Sequence, residues 1–133
     1  MIKDFELQIV TPERTQGRFQ VSQVIIPTLA GDVGVLAQHA PLLTALERGV
    51  VSVYQKGALS DRIFIIGGFG EVSHNRCVLL VTEAVSVRSF VAEDLEVEIK
   101  NLREQWAQTH SDEIVEKIAL TQAKLDALTL YYH

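Results

Sequence analysis

The chain has 133 residues, which suits one domain of ordinary size or a small domain with an appendage. Hydrophobic residues make up 47% of it and charged residues 22%, enough to bury a core and remain soluble. No stretch approaches the ~18–20 apolar residues of a membrane-spanning helix, and Asp4 and Glu6 argue against an export signal. The single cysteine, Cys77, cannot close an internal disulfide, which agrees with a reducing compartment.

The net charge of −5 is concentrated in the last third of the chain. Residues 1–88 carry eight basic and eight acidic residues, whereas residues 89–133 carry four basic and nine acidic residues. Nucleic acids and anionic lipids bind basic surfaces. We therefore expect no nucleic-acid partner and no direct membrane insertion.

The first two-thirds of the sequence have the pattern of short β-strands. Phe5, Leu7 and Ile9 alternate with polar residues, as in a strand with one buried face. β-Branched segments follow at residues 21–26, 50–53, 62–66, 78–81 and 85–87, separated by turn-like sequences at 30–32, 56–57, 67–68 and 73–75. Many short strands without helical patterns between them predict an antiparallel sandwich or barrel over residues 1–88.

A helical period begins at about residues 88–94. The apolar stripe of a first amphipathic helix comprises Leu95, Ile99, Leu102 and Trp106. The stripe of a second helix comprises Ile114, Ile118, Thr121, Leu125 and Leu128. Asp94 and Ser111 are the predicted N-caps. The short link between the helices predicts an antiparallel hairpin over residues 89–133, for which a static appendage and a movable arm are both open interpretations.

Motifs for catalysis are missing from the sequence. It has no GxxxxGK[ST] phosphate loop, no HExxH and no CxxC, and Gly67-Gly68-Phe69-Gly70 does not fit GxGxxG. Cys77 begins an apolar strand, where a buried inert thiol is the better hypothesis. The histidines are dispersed, at His39, His74, His110 and His133. We predict that the chain is not an enzyme and holds no cofactor or metal.

Three stretches, in this order and spacing, resemble a known family. They are Val10-Thr11-Pro12-Glu13, residues 31–46 followed by Gly49-Val50-Val51, and Gly67-Gly68-Phe69-Gly70-Glu71-Val72 followed by residues 78–81. With them the chain resembles the epsilon subunits of bacterial F-type ATP synthases, over the sandwich almost from end to end. The tail resembles the family in length and helical pattern more than in residue identity.

The resemblance implies a sandwich of about ten strands, a two-helix hairpin, and a place in the central-stalk rotor at the cytoplasmic face of the bacterial inner membrane. The sandwich would bind the gamma subunit and the c ring, so that ring rotation turns gamma during proton-driven ATP synthesis. The hairpin would reach the alpha and beta subunits and inhibit ATP hydrolysis. A regulatory role for residues 89–133 is therefore an expectation.

The resemblance also implies roles for individual residues. Asp32 would face the c ring from a tight loop flanked by Gly31 and Gly34, whereas the residues alone favour a solvated turn aspartate. Gly67 and Gly68 would permit a positive φ or a close backbone approach. The gamma-facing surface would lie on the same side as Asp32 and comprise Thr11, His39, Ala40, Pro41, Leu42 and Thr44.

Some members of the family bind ATP through an Ile/Leu-Asp-x-x-Arg-Ala sequence at the start of the first tail helix. The matching residues here are Leu95-Glu96-Val97-Glu98-Ile99-Lys100, so that Glu96 replaces the acid and Ile99 the arginine. Lys100 follows about 100° further around the helix and is not expected to replace the guanidinium. We predict no ATP binding by the hairpin and, because its second helix is acidic, weak inhibition.

Three alternatives to a rotor subunit come from other functional classes. An ATP-sensing regulatory module is disfavoured by Ile99. An unrelated adaptor domain with a docking hairpin fits the hydrophobic pattern alone and would be distinguished by the lack of a gamma partner. An enzyme on a sandwich scaffold would need clustered polar residues that the sequence does not show.

Overall fold

The structure is a computed structural model, and it describes residues 3–132. His133, one of the four histidines of the sequence, lies outside the described residues. The chain divides into two compact units, Met1–Ser86 and Val87–His133. The first contains the strands and the second contains the helices.

The first unit has eight strands among the described residues, which confirms the predicted β-sandwich class. They are β1 (Phe5–Val10), β2 (Thr15–Val21), β3 (Gln23–Thr28), β4 (Gly31–Leu36), β5 (Leu42–Leu46), β6 (Gly49–Gln55), β7 (Ala58–Ser73) and β8 (Arg76–Ser86). The pairing is antiparallel except between β1 and β8, which are parallel.

The resemblance implied about ten strands, and the difference comes from two long strands. β7 has 16 residues and pairs with β6 over residues 58–65 and with β5 over residues 68–72. β8 has 11 residues and pairs with β7 over residues 63–73, which includes the end of the first region and all of the second. Each of these strands therefore serves both halves of a continuous sheet that folds over on itself.

The core of this unit lies between the two halves of the sheet. The burial pattern of β1 alternates, with Phe5, Leu7 and Ile9 buried, as their period-2 spacing predicts. Every strand contributes to the same cluster, which also contains Val21, Val24, Ile26, Val35, Leu46, Val51, Val53, Ile65, Val72, Cys77, Leu79 and Val81.

Two predicted boundaries in this unit are wrong. Residues 67–68 are not a turn but lie inside β7. Gly68 has φ +153°, and a Cβ there would overlap the carbonyl oxygen of Leu80, so the lack of a side chain is what lets β7 pass this close to β8. Residues 21–26 are not one strand, because the chain bends at Ser22 between β2 and β3. The Ser22 N–H donates to the carbonyl of Tyr54 at 2.8 Å, which stabilises this bend.

The second unit comprises a 3₁₀ turn (Val87–Ser89), α1 (Ala92–Thr109) and α2 (Asp112–Tyr131). The end of α2 contacts the 3₁₀ turn that precedes α1, so the helices are antiparallel, as predicted. Of the first predicted stripe, Leu95, Ile99 and Leu102 are buried and Trp106 is 39% exposed. Within residues 3–132, no helix combines the length and apolar character required to span a membrane.

The helix ends partly follow the prediction. Val91 is the N-cap of α1, so the prediction of Asp94 is wrong; Asp94 lies in the first turn, where a carboxylate also suits the helix dipole. Ser111 is the N-cap of α2, as predicted, although its side chain makes no capping hydrogen bond. His110 ends α1 in the left-handed conformation, and its N–H donates to the carbonyl of Trp106 at 2.7 Å.

Candidate functional site

The turn between β3 and β4 presents Asp32, the predicted c-ring contact, to solvent. The hydroxyl of Thr28 donates to the carbonyl of Gly31 at 2.6 Å and accepts the N–H of Ala30 at 3.1 Å. Gly31 has φ +109°, a conformation that favours glycine. Asp32 and Leu29 are both exposed beside this turn, so it offers one carboxylate and one apolar side chain.

The candidate residues 39–42 lie at the other end of β4 from Asp32. Asp32 is paired near the β3–β4 turn, whereas Leu36, the last residue of β4, is paired with Gln23, the first residue of β3. Four residues of extended strand separate the two ends by about 13 Å. The prediction of one shared side is therefore wrong. Gly34 lies in mid-strand opposite Ile25 and does not flank the loop.

Backbone hydrogen bonds hold the turn that contains His39. Gln38 has φ 64°, and its N–H donates to the carbonyl of His74 at 2.8 Å. The His39 N–H donates to the carbonyl of Leu36 at 3.2 Å. Nδ1 of His39 lies 2.6 Å from the carbonyl oxygen of Ala40 and donates to it when that nitrogen is protonated. The exposed Ala40 and Pro41 then lead into β5.

Three of the predicted interface residues use their side chains within the fold. Thr11 is buried, and its hydroxyl donates to the carbonyl of Arg14 at 3.0 Å, closing a turn. Leu42 is half-buried against the core. Thr44 is half-buried and donates to the carbonyl of Ala45 at 3.2 Å. Their interface roles remain predictions.

An exposed apolar face, which the sequence patterns did not single out, lies on the outer side of β5, β7 and β8. Ala45 is paired with Phe69, and Phe69 is paired with Leu80. Paired residues place their side chains on the same face of a sheet. Leu43 is 74% exposed, Phe69 57% and Leu80 49%. These four residues, Leu43, Ala45, Phe69 and Leu80, form what we call the outer apolar face.

The sequence did contain a signal for this face. Residues 78–81 are continuously apolar, whereas a strand with one solvated face alternates polar and apolar residues. In β8 the buried Leu79 and the exposed Leu80 are neighbours, so the strand is apolar on both sides. A cleft of about 310 Å³ continues the face near Val10, and Gly67 and Gly68 line it without side chains.

In the second unit, a groove of about 530 Å³ runs between α1 and α2. The predicted degenerate nucleotide motif contributes Glu96, Ile99 and Lys100 to its lining, while Leu95 is buried. Lys100 therefore lines the same groove as Ile99, and that it does not replace the missing arginine stays a prediction. The other lining residues are Arg103, Glu104, Ala107, Gln122 and Leu125. Two basic and two acidic side chains thus line the groove.

The described residues do not assemble a reactive centre around the thiol or a metal. Burial raises the pKa of the Cys77 thiol to about 12, so the thiol stays protonated at neutral pH. Within residues 3–132, no three His, Cys, Asp or Glu side chains group closely enough to hold a metal ion.

A β-sandwich with exposed apolar and acidic surfaces, followed by a helical hairpin, defines a small subunit that works through protein contacts. The family described as "ATP synthase, Delta/Epsilon chain, beta-sandwich domain" matches residues 4–87. The epsilon chain of Rhodospirillum rubrum is 34% identical over 131 residues, covering 96% of this chain and 98% of that one. The epsilon chain of Rhodospirillum centenum is 37% identical over 139 residues, covering 96% and 94%. The chain belongs to the ATP synthase epsilon family.

Solved structures show the same fold. A chain of the mitochondrial ATP synthase of Euglena gracilis aligns with a TM-score of 0.79 at 22% identity, covering 98% of this chain and 82% of that one. A chain from the central stalk and c ring of the Tetrahymena thermophila mitochondrial enzyme aligns with a TM-score of 0.54 at 19% identity, covering 62% and 66%.

Proposed function

We propose that this chain is a central-stalk rotor subunit that joins the gamma subunit to the ring of c subunits. The observation that carries this proposal is the outer apolar face, exposed in a chain whose relatives are epsilon chains over nearly their whole length. The similar solved chains belong to an OSCP/F1/c-ring assembly and to a central stalk with its c ring. Both assemblies contain a c ring, which is one of the two partners that the proposal requires.

The outer apolar face binds gamma in this proposal. A patch containing an exposed phenylalanine and two exposed leucines favours association, since burying it removes apolar surface from water. Ala40 and Pro41 are exposed and lead into β5, so they extend the same contact toward His39. Thr11 lines the adjoining cleft and contributes to the gamma contact through the position of its backbone.

The Asp32 turn contacts the c ring. An exposed carboxylate in a turn fixed by Thr28 suits a basic polar loop on the partner. Gamma and the ring then bind different parts of the first unit. A subunit held at two separate places transmits torque from one partner to the other.

We infer further that the chain catalyses no reaction itself and is a peripheral protein at the cytoplasmic face of the bacterial inner membrane. Its attachment there runs through gamma and the ring. The unreactive, buried Cys77 and the exposed apolar residues of the outer apolar face support this inference.

The hairpin inhibits ATP hydrolysis weakly in this proposal. α2 carries Lys117 and Lys124 against four acidic residues, and Lys117 lies 3.7 Å from Glu113 within the same helix. An acidic helix gains little from acidic segments of the alpha and beta subunits. ATP hydrolysis by the assembled enzyme should change little when the chain is cut after Arg88, and a several-fold activation would contradict this.

Co-purification from the assembled enzyme tests the proposal. The tagged chain should capture gamma, the synthase head and the c ring in stoichiometric amounts. Asp32→Lys should lose the ring while retaining gamma, and Glu13→Lys, at an exposed acid in the β1–β2 turn, should retain both. Failure to capture gamma, or turnover of a substrate by the isolated chain, would refute the assignment.

A further inference from the structure

α2 has few fully buried residues, because Ile114, Ile118, Leu125 and Leu128 of its predicted stripe are only half-buried. Its buried residues are Thr121 and Ala127, whereas α1 buries Leu95, Ile99 and Leu102. Thr121 is compatible with burial because its hydroxyl donates to the carbonyl of Lys117 at 2.9 Å. The free energy of burial scales with the apolar area buried, so the middle of α2 supplies only part of the free energy that holds α2 against α1.

The C-terminal half of α2 and the residue that caps it, Tyr132, make two further contacts, both with the segment that precedes α1. Nζ of Lys124 lies 5.8 Å from the centroid of the Phe90 ring. Cζ of Arg88 lies 5.8 Å from the centroid of the Tyr132 ring. Both distances are within the ~6 Å range of cation–π attraction. The contacts are reciprocal, because each segment supplies one cation and one ring.

We propose that the pairs Arg88–Tyr132 and Lys124–Phe90 form a latch that holds the helical hairpin closed. Lys124 and Tyr132 are separated along α2 by about 12 Å, at ~1.5 Å per residue. Two contacts at that separation resist both rotation and sliding of α2, which one contact would not. Breaking either contact therefore loosens α2, while the first unit is unaffected. This inference does not depend on the proposed function.

Hydrogen–deuterium exchange of the full chain tests the latch. Lys124→Met keeps the length of the side chain and removes its charge, and should raise exchange of α2 amides about two- to five-fold. Lys124→Arg keeps the cation and should leave exchange unchanged. Lys117→Met is the matched control, because it removes a lysine from the same helix that lies 3.7 Å from Glu113.

The aromatic side of the latch has a control of its own. The Tyr132 hydroxyl is buried and lacks a hydrogen-bond partner within residues 3–132, so Tyr132→Phe removes nothing that the latch uses. Tyr132→Leu removes the ring and should raise exchange as Lys124→Met does. Amides of β6 and β8, read in the same experiment, report whether the first unit is intact. The latch is refuted if Lys124→Met behaves like Lys117→Met and Tyr132→Leu behaves like Tyr132→Phe.

Discussion

Phe69 and Leu80 lie directly opposite each other across the β7–β8 pair, and both side chains are exposed on its outer side. The neighbouring pair, Gly70 and Leu79, points into the core, where a Cβ on Gly70 would lie 3.3 Å from Cδ2 of Leu79. The same two strands therefore build the core with one face and an apolar surface with the other. A partner protein is the simplest use of that surface.

Replacing Phe69 with Asp should weaken binding of purified gamma. Aromatic residues at the centre of an interface commonly contribute at least about 2 kcal/mol, which corresponds to roughly a 30-fold rise in Kd. Calorimetric titration of gamma with the folded variant measures this change. Leu59→Asp is the control, since Leu59 is also exposed on β7 but lies outside the outer apolar face. Equal losses for both variants would count against this face as the gamma site.

Replacing Gly68 with Ala should destabilise the first unit strongly. A methyl group at this position would overlap the carbonyl oxygen of Leu80, and φ +153° disfavours a side chain whatever the space. We expect a loss of about 2–4 kcal/mol in the free energy of unfolding, measured with urea.

Gly67→Ala is the matched control for this substitution. A Cβ there would meet the carbonyl oxygen of Leu46 at 3.6 Å, an ordinary contact, so the loss should stay below about 1 kcal/mol. Similar stabilities for the two variants would show that β7 and β8 adjust at Gly68 more easily than the structure implies.

The thiol of Cys77 should make the fold less stable at high pH. Burial raises its pKa from 9.0 to about 12, so above pH 9 the unfolded chain loses this proton while the folded chain keeps it. The unfolded state then binds fewer protons, and stability falls with rising pH by up to about 1.4 kcal/mol per unit.

The measurement is urea unfolding between pH 8 and pH 10.5, compared with Cys77→Ala. The variant lacks this titration, so the free energy of unfolding of the wild type should fall by about 1–2 kcal/mol more than that of the variant over this pH range. Native Cys77 should also resist a thiol reagent at pH 8 until the chain unfolds. Parallel pH profiles would show that the thiol does not cause the effect.

The groove of the hairpin should not bind ATP with useful affinity. Lys100 and Arg103 line it, but Glu96 and Glu104 line it too and repel a triphosphate. Calorimetry on the isolated chain should give no saturable heat at millimolar ATP. If repulsion is the reason, the double variant Glu96→Gln, Glu104→Gln should gain affinity. Millimolar or tighter binding by the wild type would instead support the ATP-sensing alternative.

Local periodicity predicted the elements that have a regular hydrophobic pattern. The alternation of Phe5, Leu7 and Ile9 predicted β1, and the spacing of Leu95, Ile99 and Leu102 predicted the buried side of α1. These patterns are local, because the side-chain period of a strand or helix is set by its own backbone geometry. The ordered motifs around residues 31–46 and 67–72 were enough to indicate the family, which the comparisons confirm.

Which residues lie close together in space depends on the pairing of distant segments. Asp32 and His39 are seven positions apart in the sequence but at opposite ends of β4, and residues 67–68 continue a strand because Gly68 passes against Leu80. Phe69 and Leu80 form one surface through strand pairing. Such relationships depend on register and on contacts between distant segments, which no local period records.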